Sequence, residues 1–207
     1  MSIIDSFLFK GYDAYASQHP NTPGILFDFL SIAKPSTVLE IGTYHGGLTL
    51  IIHDHLLELQ LNETPIYTYD LRIGEHRIEL DKRIAEGFPI HFSNQNLFTP
   101  DYKSVEKVDE VSSIIKREGT TVIFCDGGKK VQEVRLLVPF MKEGDYILAH
   151  DYTKTEKYFE DNIKDIFWPS FEITGEQIQD VVEQYNLTQV LEEELQSVVW
   201  GCWRKGN

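Results

Sequence analysis

Hydrophobic runs alternate with amphipathic stretches along most of the chain. Short apolar runs that suit buried strands are separated by segments whose apolar residues recur at helical spacing. Five such runs occupy residues 37–41, 66–69, 90–92, 121–125 and 146–149. Two more, at residues 187–191 and 196–203, are joined by three glutamates and predict a closing hairpin. Strands that alternate with helices predict an α/β fold with buried, parallel central strands.

The segments between the runs predict helices. Residues 1–19 carry aromatic and aliphatic side chains at roughly helical spacing. Residues 21–23, Asn-Thr-Pro, supply a cap and an N-terminal proline for a second helix that ends before Pro35. We expect residues 1–35 to be a helical lead-in to one domain that spans residues 1–207. Further helices are predicted at residues 46–59, 76–86, 102–118, 129–142 and 174–185, the last opened by a capping box.

The strand at residues 37–41 runs directly into a glycine turn and a helix. Glu40 places a carboxylate near the end of the strand, while Gly42 and Gly46 allow backbone angles closed to other residues. A dinucleotide fingerprint would need a second glycine where this chain has Tyr44, so a pyrophosphate ligand is disfavoured. A ligand that carries an amine and a carboxylate suits the turn better, because the following helix begins with free amide groups.

Polar side chains follow four of the predicted strands at the same edge of the sheet, which is where open α/β sheets bind ligands. They are Asp70, the group Asn94, Gln95 and Asn96, then Asp126, and finally His150 with Asp151. Lys129 and Lys130 fall in the first turn of the next helix. The positive end of the helix dipole disfavours each cation there by roughly 0.3–1 kcal/mol. Residues that oppose the local stability preference in this way often have a functional role.

The glycine turn resembles motif I of the class I S-adenosylmethionine-dependent methyltransferases. The resemblance implies a Rossmann-like, doubly wound sheet of seven strands, mostly parallel, with a C-terminal antiparallel hairpin. In that family an acid in the place of Asp70 binds the ribose hydroxyls, and polar residues after the third strand bind the adenine. The cofactor-binding residues that the resemblance implies are Glu40, Gly42, Tyr44, Gly46, Asp70, Asn94, Gln95 and Asp126.

Two later stretches are similar to the catechol-type O-methyltransferases and to the cephalosporin-hydroxylase-like and macrocin-type sugar methyltransferases. They are Asp-Gly-Gly-Lys at 126–129 and Gly-Asp-Tyr-Ile-Leu-Ala-His-Asp-Tyr at 144–152. Acids at these strand ends hold Mg²⁺ in those families, which implies Asp126 and Asp151 as metal ligands. Lys129 matches the general base of the catechol type. His150 replaces the first member of the usual acidic pair, so a metal-free enzyme with Lys129 or His150 as its base stays open.

Charge and cysteine content narrow the class of protein. Nineteen Lys and Arg against 33 Asp and Glu give a net charge of −14, which argues against binding to nucleic acid or to an anionic membrane. Cys125 and Cys202 lie in apolar runs and predict reduced core thiols. No targeting segment or membrane-length apolar run is evident, so we expect a cytoplasmic protein.

The sequence therefore predicts an S-adenosylmethionine-dependent O-methyltransferase that acts on a hydroxyl of a small molecule, sugar-like or phenol-like, with Mg²⁺ as a second expected cofactor. A non-catalytic S-adenosylmethionine-binding protein with a degenerate acceptor site is the alternative that His150 leaves open. A nicotinamide-dependent oxidoreductase is disfavoured by Tyr44. A homodimer through the N-terminal aromatic helix is a further expectation.

Overall fold

A computed structural model describes residues 18–72, 77–164 and 166–207, so most of the helix predicted at residues 1–19 lies outside the described residues. The strands are β1 Thr37–Ile41, β2 Ile66–Tyr69, β3 Ile90–Ser93, β4 Thr121–Cys125, β5 Tyr146–Ala149, β6 Tyr152–Thr153, β7 Ile173–Thr174, β8 Leu187–Gln189 and β9 Gly201–Lys205. The helices are α1 Thr22–Ala33, α2 Gly47–Glu58, α3 Ile78–Ala85, α4 Val108–Ile115, α5 Lys130–Leu137, α6 Glu156–Asn162, α7 Gly175–Gln184 and α8 Glu192–Gln196. A 3₁₀ turn, Val138–Phe140, follows α5.

Seven strands form one sheet in the order β3-β2-β1-β4-β5-β9-β8. The first five are parallel, whereas β9 runs antiparallel to both β5 and β8. The order reverses between β1 and β4, which creates the crevice where such sheets bind ligands. This topology confirms the predicted doubly wound fold, and β6 and β7 form a separate small sheet.

The register of the sheet brings the predicted polar residues to one edge. Ile41 pairs with Tyr69 on one side and with Cys125 on the other, and Cys125 pairs with Ala149. The next residue of each strand therefore emerges at the same level. These residues are Gly42, Asp70, Asp126 and His150.

Gly42 is required by the close approach of β1 to β4. Its φ is +99°, and an added Cβ would overlap the backbone carbonyl of Asp126. The Asp126 amide donates to the Ile41 carbonyl at 2.8 Å, and the Gly42 amide donates to the Tyr69 carbonyl at 2.8 Å. Glycine here lets three strand ends meet without a side chain between them.

Two apolar layers enclose the sheet, and alternate residues of β1 face opposite layers. Val38 belongs to the layer built with α1 and α2, whereas Leu39 and Ile41 belong to the layer built with α4, α5 and α7. Glu40 therefore lies on the α2 side of β1, where its side chain is completely buried. Cys125 and Cys202 are buried free thiols, as the sequence predicts.

The C-terminal strands pair as predicted, but their connection differs. Residues 192–196 form α8 and β9 begins only at Gly201, so the prediction of a strand from Gln196 is wrong. Glutamates at the start of a helix are favoured by its dipole, and Leu195 packs into the α1–α2 layer. The helix predicted at residues 102–118 is likewise shorter, because Phe98 and Val105 form an antiparallel bridge ahead of α4. No helix in the described part of the chain is long and apolar enough to span a membrane.

Candidate active site

A cleft of about 480 Å³ opens where β1 and β4 end. Two groups of polar residues line it. The turn-side group consists of Gly42, Tyr44, Asp70, Gln95 and Asn96. The acid–lysine cluster consists of Asp126, Lys130, His150 and Asp151.

Asp70 ties the glycine turn to the end of β2. Its two carboxylate oxygens accept the backbone amides of Tyr44 at 2.6 Å and of Arg72 at 2.7 Å. Asn94 donates to the Asp70 carbonyl at 3.2 Å and supports this corner, while Gln95 and not Asn94 lines the cleft. The carboxylate thus stands at the mouth of the turn, within reach of a ligand that lies along it.

Glu40 and Gly46 lie behind the cleft and are absent from its described lining. Gly46 has φ +83° and caps α2, so its role is to start that helix. Glu40 accepts the Thr49 hydroxyl at 2.6 Å, and burial raises the pKa of its carboxyl to about 7. Its second oxygen, Oε1, has no hydrogen-bond partner among the described residues. Glu40 therefore joins β1 to α2 beneath the turn.

The acid–lysine cluster brings the ends of β4 and β5 together. His150 Nδ1 lies 3.0 Å from Asp126 Oδ1 and 3.7 Å from Asp151 Oδ2. Asp126 Oδ2 also accepts the side-chain amide of Gln18 at 2.8 Å. Asp151 adopts a left-handed backbone, φ +52°, which aspartate tolerates better than most residues, and its Oδ1 accepts the indole N–H of Trp168 at 2.7 Å.

The cluster controls the charge of its own members. Burial alone would lower the pKa of His150, but the carboxylates of Asp126 and Asp151 outweigh it and raise that pKa above its ordinary value. Burial would raise the pKa of Asp151, but His150 and Lys130 outweigh it and lower that pKa. The site therefore favours a protonated imidazole beside ionised carboxylates.

Three potential metal ligands converge in this cluster. One ligand atom each from Asp126, His150 and Asp151 lies within 4.8 Å of the others. The two carboxylate oxygens suit a divalent ion, whereas the imidazole does not suit Mg²⁺, which prefers oxygen ligands. The residues that the sequence predicts as metal ligands, Asp126 and Asp151, are thus brought together.

The two adjacent lysines have different environments. Lys129 caps α5, is exposed and is absent from the described lining of the cleft. Lys130 is buried, lines the cleft and places its ammonium 2.9 Å from Asp151 Oδ2. The base role predicted for Lys129 therefore remains a prediction, and Lys130 is the lysine at the acidic site.

The comparison with protein families decides the class of this chain. The model described as Rhamnosyl O-methyltransferase/CmcI matches residues 19–203.

The chain belongs to the rhamnosyl O-methyltransferase/CmcI family.

Solved structures agree with the family in fold. An apo structure of CmcI superposes with a TM-score of 0.64 at 14% identity and covers 93% of this chain and 74% of that one. A CmcI structure named as an Mg–SAM form gives a TM-score of 0.59 at 16% identity, with the same 93% and 74% coverage. The SAH-bound methyltransferase PaMTH1 of Podospora anserina gives 0.57 at 15% identity and covers 100% of this chain and 89% of that one. No curated protein matches the sequence.

The family confirms the predicted enzyme class, an S-adenosylmethionine-dependent methyltransferase, and with it the predicted cofactor. Within this CmcI-family chain, sequence reasoning noted Lys130 in the first turn of a helix without assigning it a role at the site, and it missed Gln18 and Glu133, which also line the cleft. The signal for Lys130 was its place in the first turn of α5, four residues after the strand-end Asp126, which puts its ammonium 3.9 Å from the Asp126 carboxylate. Gln18 carried no signal, since 108 residues separate it from Asp126.

Glu133 shapes the loop between β4 and α5. Its carboxylate accepts the backbone amides of Gly127 at 3.3 Å and of Lys129 at 3.1 Å. Burial raises the pKa of the Glu133 carboxyl to about 7, although those amides and Lys130 oppose the rise. A glutamate within the mainly apolar face of α5 was the available sequence signal. Its effect is to fix the backbone that carries Asp126.

Proposed function

We propose that the chain transfers the methyl group of S-adenosylmethionine to a hydroxyl group of a small molecule, sugar-like or phenol-like. The observation that carries this proposal is that the turn-side group and the acid–lysine cluster face one cleft. A cofactor bound by the first group would lie in the same cleft as a hydroxyl held by the second. Methyl transfer between such partners depends mainly on alignment and on exclusion of water.

In the turn-side group, different residues suit different parts of the cofactor. The backbone at Gly42 allows close approach of the methionine portion, and the Asp70 carboxylate suits the ribose hydroxyls. Gln95 and Asn96 offer amide groups for the adenine edge. The SAM and SAH named for the CmcI and Podospora structures support the identity of the cofactor, whereas the placement of its parts rests on the lining of the cleft.

On the acceptor side, Asp126 is the group best placed to take the hydroxyl proton. Its carboxylate lines the cleft, and each of its oxygens keeps a second lone pair beside the bond to Gln18 or His150, whereas His150 Nδ1 is engaged with Asp126 and His150 Nε2 is buried. A raised pKa for His150 favours the imidazolium, which is a poor base but a good partner for a carboxylate. We therefore assign to His150 the positioning of Asp126.

Asp126, His150 and Asp151 are the residues that would hold a divalent ion if the Lys130 ammonium left their carboxylates, and such an ion would supply polarisation of a bound hydroxyl. The chain's own residues supply the rest of the arrangement. Gln18 holds one oxygen of Asp126, and Trp168 holds one oxygen of Asp151. These bonds fix both carboxylates before the acceptor enters.

Methyl-labelled S-adenosylmethionine tests the proposal with a panel of sugars, glycosides, phenols and catechols. We expect label to enter at least one acceptor, and Asp126→Asn to lower turnover by about 100-fold or more. Lys129→Ala is the parallel variant, and an equal loss in it with full activity in Asp126→Asn would return the base role to Lys129. Cofactor binding without methylation of any hydroxylated acceptor would contradict the proposal.

A further inference from the structure

The Lys130 ammonium is held like a bound cation. Its side chain is 5% exposed, and Nζ lies 2.9 Å from the Gly127 carbonyl, 2.9 Å from Glu172 Oε2 and 2.9 Å from Asp151 Oδ2. An ammonium has three donors, and three oxygens stand at hydrogen-bond distance. Asp126 Oδ1 adds a fourth oxygen at 3.9 Å. Lys130 is thus hydrogen-bonded to oxygens of three residues and ion-paired with a fourth.

Two of these oxygens belong to the residues that form the candidate metal site. Lys130 contacts the carboxylates of Asp126 and Asp151, which together with His150 supply the three converging ligand atoms. Mg²⁺ binds its oxygens at about 2.0–2.1 Å, so an ion on these carboxylates would lie close to the ammonium. The like charges would repel strongly in this buried site. Lys130 and a metal ion would therefore compete for these carboxylates.

The two cations also differ in what binding costs. The ammonium is covalently tethered at the first turn of α5, so it reaches the carboxylates without loss of translational freedom. Mg²⁺ gives up its water reluctantly and prefers oxygen to the imidazole that stands at position 150. Both differences favour the lysine.

We propose that Lys130 is the resident cation of the acidic site, bound by Asp126 and Asp151 in place of a divalent metal and facing the acceptor oxygen in the cleft. The role towards the acceptor rests on the proposed methyl transfer, whereas the exclusion of metal does not. Positive charge beside the acceptor oxygen stabilises it as its proton leaves. The enzyme accordingly works without added metal, and Mg²⁺ binds only where the lysine is removed.

Metal titration of the apo protein tests this directly. We expect calorimetry to show Mg²⁺ affinity at least about tenfold higher for Lys130→Met than for the natural chain, because methionine fills similar space without charge. In thermal unfolding, added Mg²⁺ should raise the Tm of Lys130→Met and leave the Tm of the natural chain unchanged. Lys129→Met is the matched control, since it removes an adjacent but exposed lysine, and it should bind Mg²⁺ as the natural chain does. Adding Asp151→Asn to Lys130→Met should abolish the gain.

Glu172→Gln covers the case in which Lys130→Met does not fold. Glu172 is 45% exposed and anchors Lys130 without belonging to the candidate metal ligands. We expect this variant to bind Mg²⁺ more tightly than the natural chain but less tightly than Lys130→Met. Equal Mg²⁺ affinity in the natural chain and in both variants, or tight binding by the natural chain, would overturn the proposal.

Turnover and cofactor binding separate this proposal from the proposed function. With a methylated acceptor in hand, we expect chelator to leave the natural enzyme active and Mg²⁺ to restore activity to Lys130→Met. If no variant binds S-adenosylmethionine, the methyl-transfer proposal fails while the metal titration still decides whether Lys130 excludes the metal.

Discussion

Replacement of Glu40 by glutamine should change how stability depends on pH. Glu40 is completely buried, accepts the Thr49 hydroxyl through Oε2 and has a pKa raised by burial to about 7 from 4.5. Glutamine keeps an acceptor for the Thr49 hydroxyl but has no proton to lose. The substitution therefore removes one titration and preserves the shape of the side chain.

The sign and size follow from the two pKa values. The folded state holds the proton more tightly than the unfolded state, so this stabilisation is complete below about pH 4.5 and is lost as pH rises through about 7. At about 1.36 kcal/mol per pKa unit the full effect is about 3 kcal/mol, of which about 2.5 kcal/mol falls between about pH 5 and about pH 8. Glu133 and His150 also have raised pKa values, so the natural chain loses stability from these sources too.

Urea unfolding followed by tryptophan fluorescence measures the difference. The gap in unfolding free energy between Glu40→Gln and the natural chain should shift by about 2.5 kcal/mol in favour of the variant from about pH 5 to about pH 8. Taking the difference removes the shared contributions of Glu133 and His150. Glu58→Gln, at an exposed glutamate that ends α2, controls for the substitution itself. A gap that stays constant across this range would refute the reasoning.

Three further substitutions test the packing that positions the site. Gly42→Ala should cost about 2–4 kcal/mol and abolish cofactor binding, because φ is +99° and the new Cβ overlaps the Asp126 carbonyl; Gly24→Ala, which meets open space, should be neutral or stabilising in the same urea titration. Asp145→Ala should lower the free energy of unfolding by about 3–5 kcal/mol, because it leaves a lysine and two backbone amides without their buried carboxylate. Asp180→Ala removes a carboxylate from an exposed ion pair and should leave the denaturation midpoint unchanged. Thr174→Ala should lower stability by about 1 kcal/mol through loss of the capping box, and an unaltered melting curve would contradict that.

The sheet and its functional edge were predictable because both depend on local patterns. Continuous apolar runs such as 121–125 mark strands buried on both faces, and parallel pairing then aligns Gly42, Asp70 and Asp126 without further information. The rest depended on geometry that spacing does not fix. Whether Lys129 or Lys130 faces the carboxylates is set by where α5 begins, since neighbours on a helix diverge by about 100°.

Glu40 and Gln18 show the same limit in two other forms. Successive residues of a strand face opposite sides of the sheet, and Glu40 lies between Leu39 and Ile41, which face the α5 layer. Glu40 is therefore buried against α2, although it precedes Gly42 by only two positions. The Gln18 side chain donates to Asp126 and accepts from the Trp200 indole, each at 2.8 Å, although these partners are 108 and 182 positions away in the sequence. Contacts between such distant positions arise from packing and leave no periodic trace in the sequence.

Calorimetric titration with S-adenosylmethionine is the measurement that tests the account most directly. Asp70→Asn keeps the shape of the side chain at the mouth of the glycine turn and removes its charge, whereas Asp161→Asn makes the same change at an exposed site outside the described lining of the cleft. We predict saturable binding by the natural chain and by Asp161→Asn, affinity at least about tenfold weaker for Asp70→Asn, and no binding of NAD. Absence of S-adenosylmethionine binding, or equal binding by all three proteins, would contradict the placement of the cofactor at this turn.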